Sequence, residues 1–131
     1  MADGAVRYVL LVEDEQQIAE VFATILEEEG YETVRACDGA NALRVLQTQP
    51  GRPALILTDL RMPRMNGFEL CRRLASIPEL ADVPVVILSS TVDAANLPRL
   101  GNVKGAHSKP LGMDQLLACV AMWGSEARTL R

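Results

Sequence analysis

The sequence of 131 residues is poor in cysteine, in clustered positive charge and in long apolar runs. Its three cysteines, Cys37, Cys71 and Cys119, are widely spaced and form no CxxC pair, which excludes the usual spacing of a cysteine metal site. Because each lies in an apolar-periodic context, we expect reduced thiols in or near the core of a cytoplasmic protein. The net charge is −4, and positive charge gathers only in short pairs such as Arg72-Arg73, which argues against direct nucleic-acid binding.

The lack of a long apolar segment excludes a membrane-spanning helix, which needs about 20 consecutive apolar residues. The apolar run near the N-terminus is short and is soon followed by acidic residues, so it predicts neither a signal peptide nor a membrane contact. No repeat, low-complexity tract or linker divides the chain. We therefore expect one domain over residues 1–131, with its core between about residue 7 and about residue 127.

Short apolar runs alternate with helical patterns along the chain. Strands are predicted at residues 7–12, 32–37, 54–59 and 83–88, with a weak one at 103–108. Between them, apolar residues recur at the three- and four-residue spacing of amphipathic helices. The first helix is expected to begin at Asp14 or Glu15 and to end at Gly30, and later helices to begin at Asp38 and Asn66. The last helix covers about residues 113–127, with a buried stripe formed by Leu116, Leu117, Val120 and Ala121.

This alternation predicts an α/β protein, namely a flavodoxin-like (βα)5 fold with a doubly wound parallel sheet and helices on both faces. The first and third strands are the most apolar and should be central, whereas the second alternates like an edge strand. The expected strand order is therefore 2-1-3-4-5, with a topological switch point between strands one and three. The fourth helix, expected between residues 93 and 100, contains Pro98 and is predicted to be short or irregular.

Acidic residues follow both central strands. Glu13 and Asp14 end the first strand and Asp59 ends the third, so parallel pairing should bring them together at one edge of the sheet. Three neighbouring carboxylates repel one another unless a cation lies among them, and Mg²⁺ prefers oxygen ligands. We predict a Mg²⁺ site with Asp14 and Asp59 as direct ligands and Glu13 bound directly or through water. A backbone carbonyl just after Asp59 would complete it.

The same site suits phosphoryl transfer, which requires positioning and neutralisation of the phosphoryl oxygens. Asp59 would be the nucleophile and would form an aspartyl phosphate. Ser89, after the fourth strand, would hydrogen-bond one phosphoryl oxygen, and Lys109, after the fifth, would pair with another.

Four stretches, taken together in this order, resemble the receiver domain of bacterial two-component response regulators over essentially the whole chain. They are VLLVEDE (residues 9–15), ILTDLRMPRMNG (56–67), VVILSS (85–90) and KP (109–110). The resemblance implies that Glu13 and Asp14 are the acidic metal pair, Asp59 the phosphoacceptor, Ser89 the hydroxyl residue that meets the phosphoryl group, and Lys109 the family's lysine.

The resemblance also implies roles for neighbouring positions. The backbone carbonyl of Arg61 would be the third protein ligand of the metal, and Arg61 and Thr91 would tune the rate of hydrolysis. The bond between Lys109 and Pro110 is expected to be cis.

The function implied by the resemblance is phosphorelay signal transduction. A sensor histidine kinase or a histidine phosphotransfer protein would donate a phosphoryl group to Asp59, with Mg²⁺ as cofactor. The chain would catalyse only its own phosphorylation and dephosphorylation, so it would be a signalling protein rather than an enzyme. It would act on a downstream protein without binding nucleic acid or membrane. It is interpreted either as a stand-alone receiver or as one domain of a longer regulator.

One position departs from the family pattern. The residue three before Lys109, usually aromatic, is Ala106, and neighbouring His107 is the only histidine. We therefore predict a rearranged fourth-helix segment or an output through another face. The alternative is a receiver-like adaptor that binds partners independently of phosphorylation.

Overall fold

The computed structural model describes residues 6–89 and 100–129, which contain five strands and four α-helices. The first half comprises β1 (Arg7–Val12), α1 (Gln16–Glu28), β2 (Thr33–Ala36), α2 (Gly39–Thr48) and β3 (Arg52–Asp59). The second half comprises α3 (Gly67–Ala75), β4 (Val85–Ser89), β5 (Val103–Ser108), α4 (Met113–Trp123) and a 3₁₀ helix (Ser125–Ala127).

The strands form one parallel sheet in the order β2-β1-β3-β4-β5, which confirms the predicted fold and strand order. Alternate residues of β1 and β3 enter two separate cores, because successive side chains of a strand point to opposite faces. One core lies under α1 and α4 and includes Val9, Leu57 and Leu116. The other lies under α2 and α3 and includes Leu10 and Ile56. The two helix layers explain why both central strands are apolar throughout.

β3 begins at Arg52, two residues before its predicted start, and therefore includes Pro53. A proline cannot donate a ladder hydrogen bond, so it is tolerated in a strand only where pairing is irregular or open. Both conditions hold here. The register of β1 and β3 shifts next to the Tyr8–Pro53 pair, and β4 joins the other side of β3 only from Ile56 onward.

The helix boundaries follow their predicted signals at three points. Gly30 lies just past α1 with φ of 91°, the left-handed conformation expected of a glycine that ends a helix. Asp38 caps α2 through the N–H of Asn41, and Asn66 caps α3 through the N–H of Glu69.

The end of α4 was predicted incorrectly. The helix stops at Trp123, and Gly124 then brings the chain so close to β3 that an added Cβ would lie 3.0 Å from Leu55 Cβ. The following 3₁₀ helix ends at Ala127, whose carbonyl accepts the N–H of Glu32 at 2.9 Å. This contact with the start of the second strand redirects the chain, and residues 113–127 alone do not encode it.

Two predictions about single residues are wrong. Cys37 is exposed rather than near the core, because β2 ends at Ala36 and Cys37 already belongs to the connection with α2. Ala121 is also exposed, because the buried face of α4 is centred on Leu116, Cys119 and Val120.

Two further expectations concern the rest of the chain. The predicted irregular fourth helix at residues 93–100 lies almost entirely outside the described residues. Among residues 6–89 and 100–129, no helix has the length and apolar character needed to cross a bilayer.

Candidate functional site

Three carboxylates meet at the carboxyl edge of the two central strands. Glu13 and Asp14 follow β1, and Asp59 is the last residue of the neighbouring β3. One carboxylate oxygen from each lies within 4.8 Å of the other two. The structure therefore brings together the three acidic residues that the sequence places at the ends of adjacent strands.

The three carboxylates differ in burial. Glu13 and Asp59 are 2% and 7% exposed, whereas Asp14 faces solvent. The Glu13 backbone N–H donates to the carbonyl of Ala36 at 3.0 Å, which extends the pairing of β1 with β2 and fixes the start of the acidic loop. Glu13 Oε2 then accepts the N–H of Glu15 at 3.1 Å. Asp14 is thus the carboxylate most open to water and to an entering ion.

Lys109 supplies the positive charge of the site. Its Nζ lies 2.8 Å from Glu13 Oε1 and 3.3 Å from Asp59 Oδ2. The backbone of the lysine is anchored to the end of β4, because its N–H donates to the carbonyl of Ser89 at 2.7 Å. The Lys109–Pro110 peptide bond is cis, as predicted. One ammonium among three carboxylates leaves an excess of negative charge that favours a cation.

Burial dominates the titration of the two inner carboxylates. It raises the pKa of Glu13 and that of Asp59, and the attraction of Lys109 only partly opposes this increase. For Lys109, burial lowers the pKa, but its hydrogen bond and ion pairs with Glu13 and Asp59 outweigh burial, so the pKa is raised. The lysine therefore stays charged, and a divalent cation beside Glu13 and Asp59 would favour their ionised forms.

The loop after Asp59 is tightly held. Asp59 Oδ1 accepts the N–H of Leu60 at 2.9 Å, and the Leu60 carbonyl accepts the N–H of Gly67 at 2.8 Å. A Cβ on Gly67 would lie 2.7 Å from the carbonyl oxygen of Asp59, so this position requires glycine. Arg61, the predicted carbonyl ligand, lies in this loop with its side chain exposed.

The remaining predicted residues lie on the neighbouring strands. Ser89 is buried at the end of β4, one residue beyond Leu88, which pairs with Asp59. Ala106 and His107 are half-buried in β5. Thr91 lies outside the described residues.

The structure contains an ion pair near the acidic residues that the sequence did not predict. Asp38 Oδ2 accepts hydrogen bonds from Nε and Nη2 of Arg64, which lies in the loop between β3 and α3. The sequence signal for Asp38 was its capping position, but nothing local indicated that Arg64 would turn back towards it.

An apolar groove lies beside Lys109. It has a volume of about 500 Å³ and runs between α1 and the segment after β5. Its apolar lining comes from Ile18, Val21, Phe22 and Leu111. Val21 is 56% exposed and presents apolar surface at this groove.

Known proteins share this fold and sequence pattern. The response regulator receiver domain family matches residues 9–121. The DNA-binding response regulator MtrA of Mycolicibacterium smegmatis is 35% identical over 115 residues, which are 86% of this chain but 48% of MtrA. The chain thus spans about half the length of that relative. The polar-differentiation response regulator DivK of Brucella anthropi is 28% identical over 121 residues, 91% of this chain and 97% of DivK.

A solved structure extends the comparison to the fold. The response regulator receiver protein from Pseudomonas putida superimposes with a TM-score of 0.81 at 30% identity. The match covers 91% of this chain and 98% of that protein. Sequence and structure thus agree over nearly the same residues. The chain belongs to the response regulator receiver domain family.

Proposed function

We propose that this receiver domain accepts a phosphoryl group on the carboxylate of Asp59 and so takes part in phosphorelay signalling. The observation that carries the proposal is the placement of Asp59, which is buried at the end of β3 with Lys109 at 3.3 Å and two further acids within 4.8 Å. The donor is a phosphohistidine on a sensor histidine kinase or a histidine phosphotransfer protein. Outside its own phosphorylation and dephosphorylation, the chain catalyses no reaction.

The donor set fits Mg²⁺, because all candidate ligands are hard oxygen atoms and solvent reaches the site at Asp14. Both oxygens of Glu13 already accept hydrogen bonds, from Lys109 and from the N–H of Glu15. Asp14, Asp59 and the carbonyl of Arg61 are the proposed direct ligands, and the more deeply buried Glu13 would bind directly or through water. When bound, Mg²⁺ would neutralise charge on the phosphoryl oxygens.

The side chains around Asp59 would have separate roles in phosphoryl transfer. An Asp59 oxygen attacks phosphorus, its new bond to phosphorus forms as the bond to the histidine nitrogen breaks, and the electron pair leaves on the imidazole. Lys109 pairs with a phosphoryl oxygen from the position it holds beside Asp59 Oδ2, and the Ser89 hydroxyl donates to another. In hydrolysis, water attacks phosphorus and the Asp59 carboxylate is the leaving group, so the phosphoryl group is released as phosphate. Arg61 and Thr91 tune this second step.

The groove beside Lys109 supports a protein as the phosphodonor. A small phosphodonor needs only the acidic pocket, whereas a protein that presents a phosphohistidine must also contact the surface around it. The exposed Val21 and the half-buried Ile18 provide apolar contact area next to Lys109. The donor protein would cover this groove while its histidine reaches Asp59.

Phosphorylation by a small donor tests the proposal directly. The protein is incubated with Mg²⁺ and acetyl phosphate, and intact mass is measured for an acid-stable, base-labile phosphoryl adduct. We expect one adduct on the wild type and none on Asp59→Asn. A wild type without adduct, or an undiminished adduct on Asp59→Asn, would contradict the proposal.

The adaptor alternative has one observation in its favour. β5 carries Ala106 at the position where the family usually has an aromatic residue, and the strand contains no Phe, Tyr or Trp. If an adduct forms but the affinity for a partner is the same with and without it, the chain acts as an adaptor. A partner affinity that changes on phosphorylation supports the signalling role.

A further inference from the structure

The loop between β3 and α3 is fastened to the start of α2. Arg64 donates from Nε to Asp38 Oδ2 at 3.0 Å, and its Nη2 donates to the same oxygen. The Asp38 side chain is only 3% exposed, whereas that of Arg64 is 69% exposed. We call this ion pair the Arg64–Asp38 latch.

The latch is separate from the capping of α2. Asp38 Oδ1 caps the helix by accepting the N–H of Asn41 at 2.8 Å, while Oδ2 receives Arg64. A cap needs only the first contact. The second contact instead holds a loop that is 26 residues away in sequence, and this loop also contains Arg61.

Two features show that the backbone is shaped around this contact. Arg64 has φ of 69° and is the only non-glycine residue with positive φ in the described part of the chain. Next to it, Met65 lies so close to Gly39 that an added Cβ would come within 2.9 Å of Met65 Cβ and Sδ. The left-handed conformation is unfavourable for an arginine in a free surface loop, and the Met65 contact leaves no room for a side chain at Gly39, the first residue of α2.

The latch joins the two walls of the acidic site. On one side, residues 60–66 begin directly after Asp59 and contain Arg61. On the other side, Asp38 follows β2, whose Ala36 carbonyl binds the backbone N–H of Glu13. A shift of the loop relative to α2 would therefore change the spacing between the carbonyl of Arg61 and the acids that follow β1.

We propose that Arg64 is a positioning residue, which through its latch to Asp38 holds the β3–α3 loop where the Arg61 carbonyl can share a metal with Asp14 and Asp59. The inference rests on the proposed function for its metal, but the latch itself is a feature of the fold. Groups that orient metal ligands without touching the ion change metal affinity by about 10- to 100-fold when removed.

The experiment compares the wild type with Arg64→Gln, Arg64→Gly and the matched control Arg44→Gln. Arg44 is exposed on α2 and forms no ion pair within residues 6–89 and 100–129. Arg64→Gly removes the guanidinium and also relieves the positive φ, so it separates the latch from backbone strain. The Mg²⁺ dissociation constant of each protein is measured by calorimetry without phosphodonor. The unfolding midpoint is measured in urea. The initial rate of adduct formation is measured with acetyl phosphate at subsaturating Mg²⁺.

We expect both Arg64 variants to bind Mg²⁺ about tenfold more weakly and to be phosphorylated correspondingly more slowly at subsaturating Mg²⁺. Arg64→Gly should keep the wild-type urea midpoint, because relief of the positive φ offsets the lost ion pair, and Arg44→Gln should match the wild type in every measurement. A purely structural role would lower the midpoint of Arg64→Gln and leave the Mg²⁺ constants of both Arg64 variants unchanged.

The outcomes separate this inference from the proposed function. Equal Mg²⁺ constants for Arg64→Gln and Arg44→Gln, or no Mg²⁺ binding by the wild type, would overturn the positioning role. A wild type that binds Mg²⁺ but forms no adduct would refute the phosphoacceptor role alone, and the Mg²⁺ constants would still decide whether the latch positions the loop.

Discussion

Replacement of Asp59 by Asn should stabilise the protein in the absence of Mg²⁺. The charges around Asp59 act on it in opposite directions. At an effective dielectric constant of about 20, the Lys109 ammonium at 3.3 Å attracts Asp59 by about 5 kcal/mol. Glu13 and Asp14, within 4.8 Å, each repel it by at least about 3.5 kcal/mol before solvent screening at Asp14 is counted. Before that screening the repulsion exceeds the attraction by about 2 kcal/mol, and burial of the charge adds to the cost of ionising Asp59.

Asn is neutral and nearly isosteric, and its side-chain oxygen can still accept the N–H of Leu60. We therefore expect Asp59→Asn to raise the free energy of unfolding in EDTA by about 1 kcal/mol, because the neutral side chain avoids the burial cost and the net repulsion of the charge while Lys109 keeps its ion pair with Glu13. With a urea dependence of about 2 kcal/mol per molar, the midpoint should rise by about 0.5 M.

Mg²⁺ should remove this advantage. At a Mg²⁺ concentration ten times the wild-type dissociation constant, binding stabilises the wild type by about 1.4 kcal/mol. A variant that binds tenfold more weakly gains only about 0.4 kcal/mol. The difference of about 1 kcal/mol cancels the effect seen in EDTA, so the two unfolding curves should coincide.

The pH dependence has a defined sign. Burial raises the pKa of Asp59 above its ordinary value of 3.8, so ionisation destabilises the native wild type as the pH rises through the raised pKa. The advantage of Asp59→Asn should be small below pH 3.8 and complete above the raised pKa. A lower urea midpoint for Asp59→Asn in EDTA at neutral pH would refute the reasoning, because it would mean that the attraction of Lys109 outweighs burial and repulsion together.

Three further predictions concern the surroundings of Asp59. Gly67→Ala should lower the free energy of unfolding by about 2 kcal/mol and slow adduct formation, because the alanine Cβ would lie 2.7 Å from the Asp59 carbonyl oxygen. An unchanged urea midpoint and an unchanged rate would contradict this prediction. Asp38→Ala should cost about 2 kcal/mol at neutral pH through the lost cap and ion pair. The N–H of Asn41 and the Arg64 guanidinium lower the pKa of Asp38. The stability lost in Asp38→Ala should therefore shrink as the pH falls from 3.8 through the lowered pKa. A loss of stability that does not depend on pH would contradict this prediction. Val21→Glu should slow transfer from a phosphohistidine protein about tenfold, because one interface contact is lost, and should leave the rate with acetyl phosphate unchanged. Equal slowing with both donors would exclude the groove as a docking surface.

The fold and the proximity of the three acids follow from the sequence. Five apolar runs alternating with helical patterns predict a parallel sheet, and strands that all run in one direction place their carboxyl ends at the same edge. Glu13, Asp14 and Asp59 therefore had to lie close together, because each ends one of two adjacent central strands. These outcomes depend on local periodicity and chain order, which are both readable in the sequence.

The sequence predicts Lys109 as a site residue, but the contacts that hold the charged side chains of the site emerge only in the folded chain. Lys109 contacts Glu13 across 96 residues, and Arg64 contacts Asp38 across 26, at distances set by how loops from different strands pack. The end of α4 depended in the same way on the close approach of Gly124 to β3. Such contacts arise from the packing of segments far apart in the chain, so no local pattern of residues encodes them.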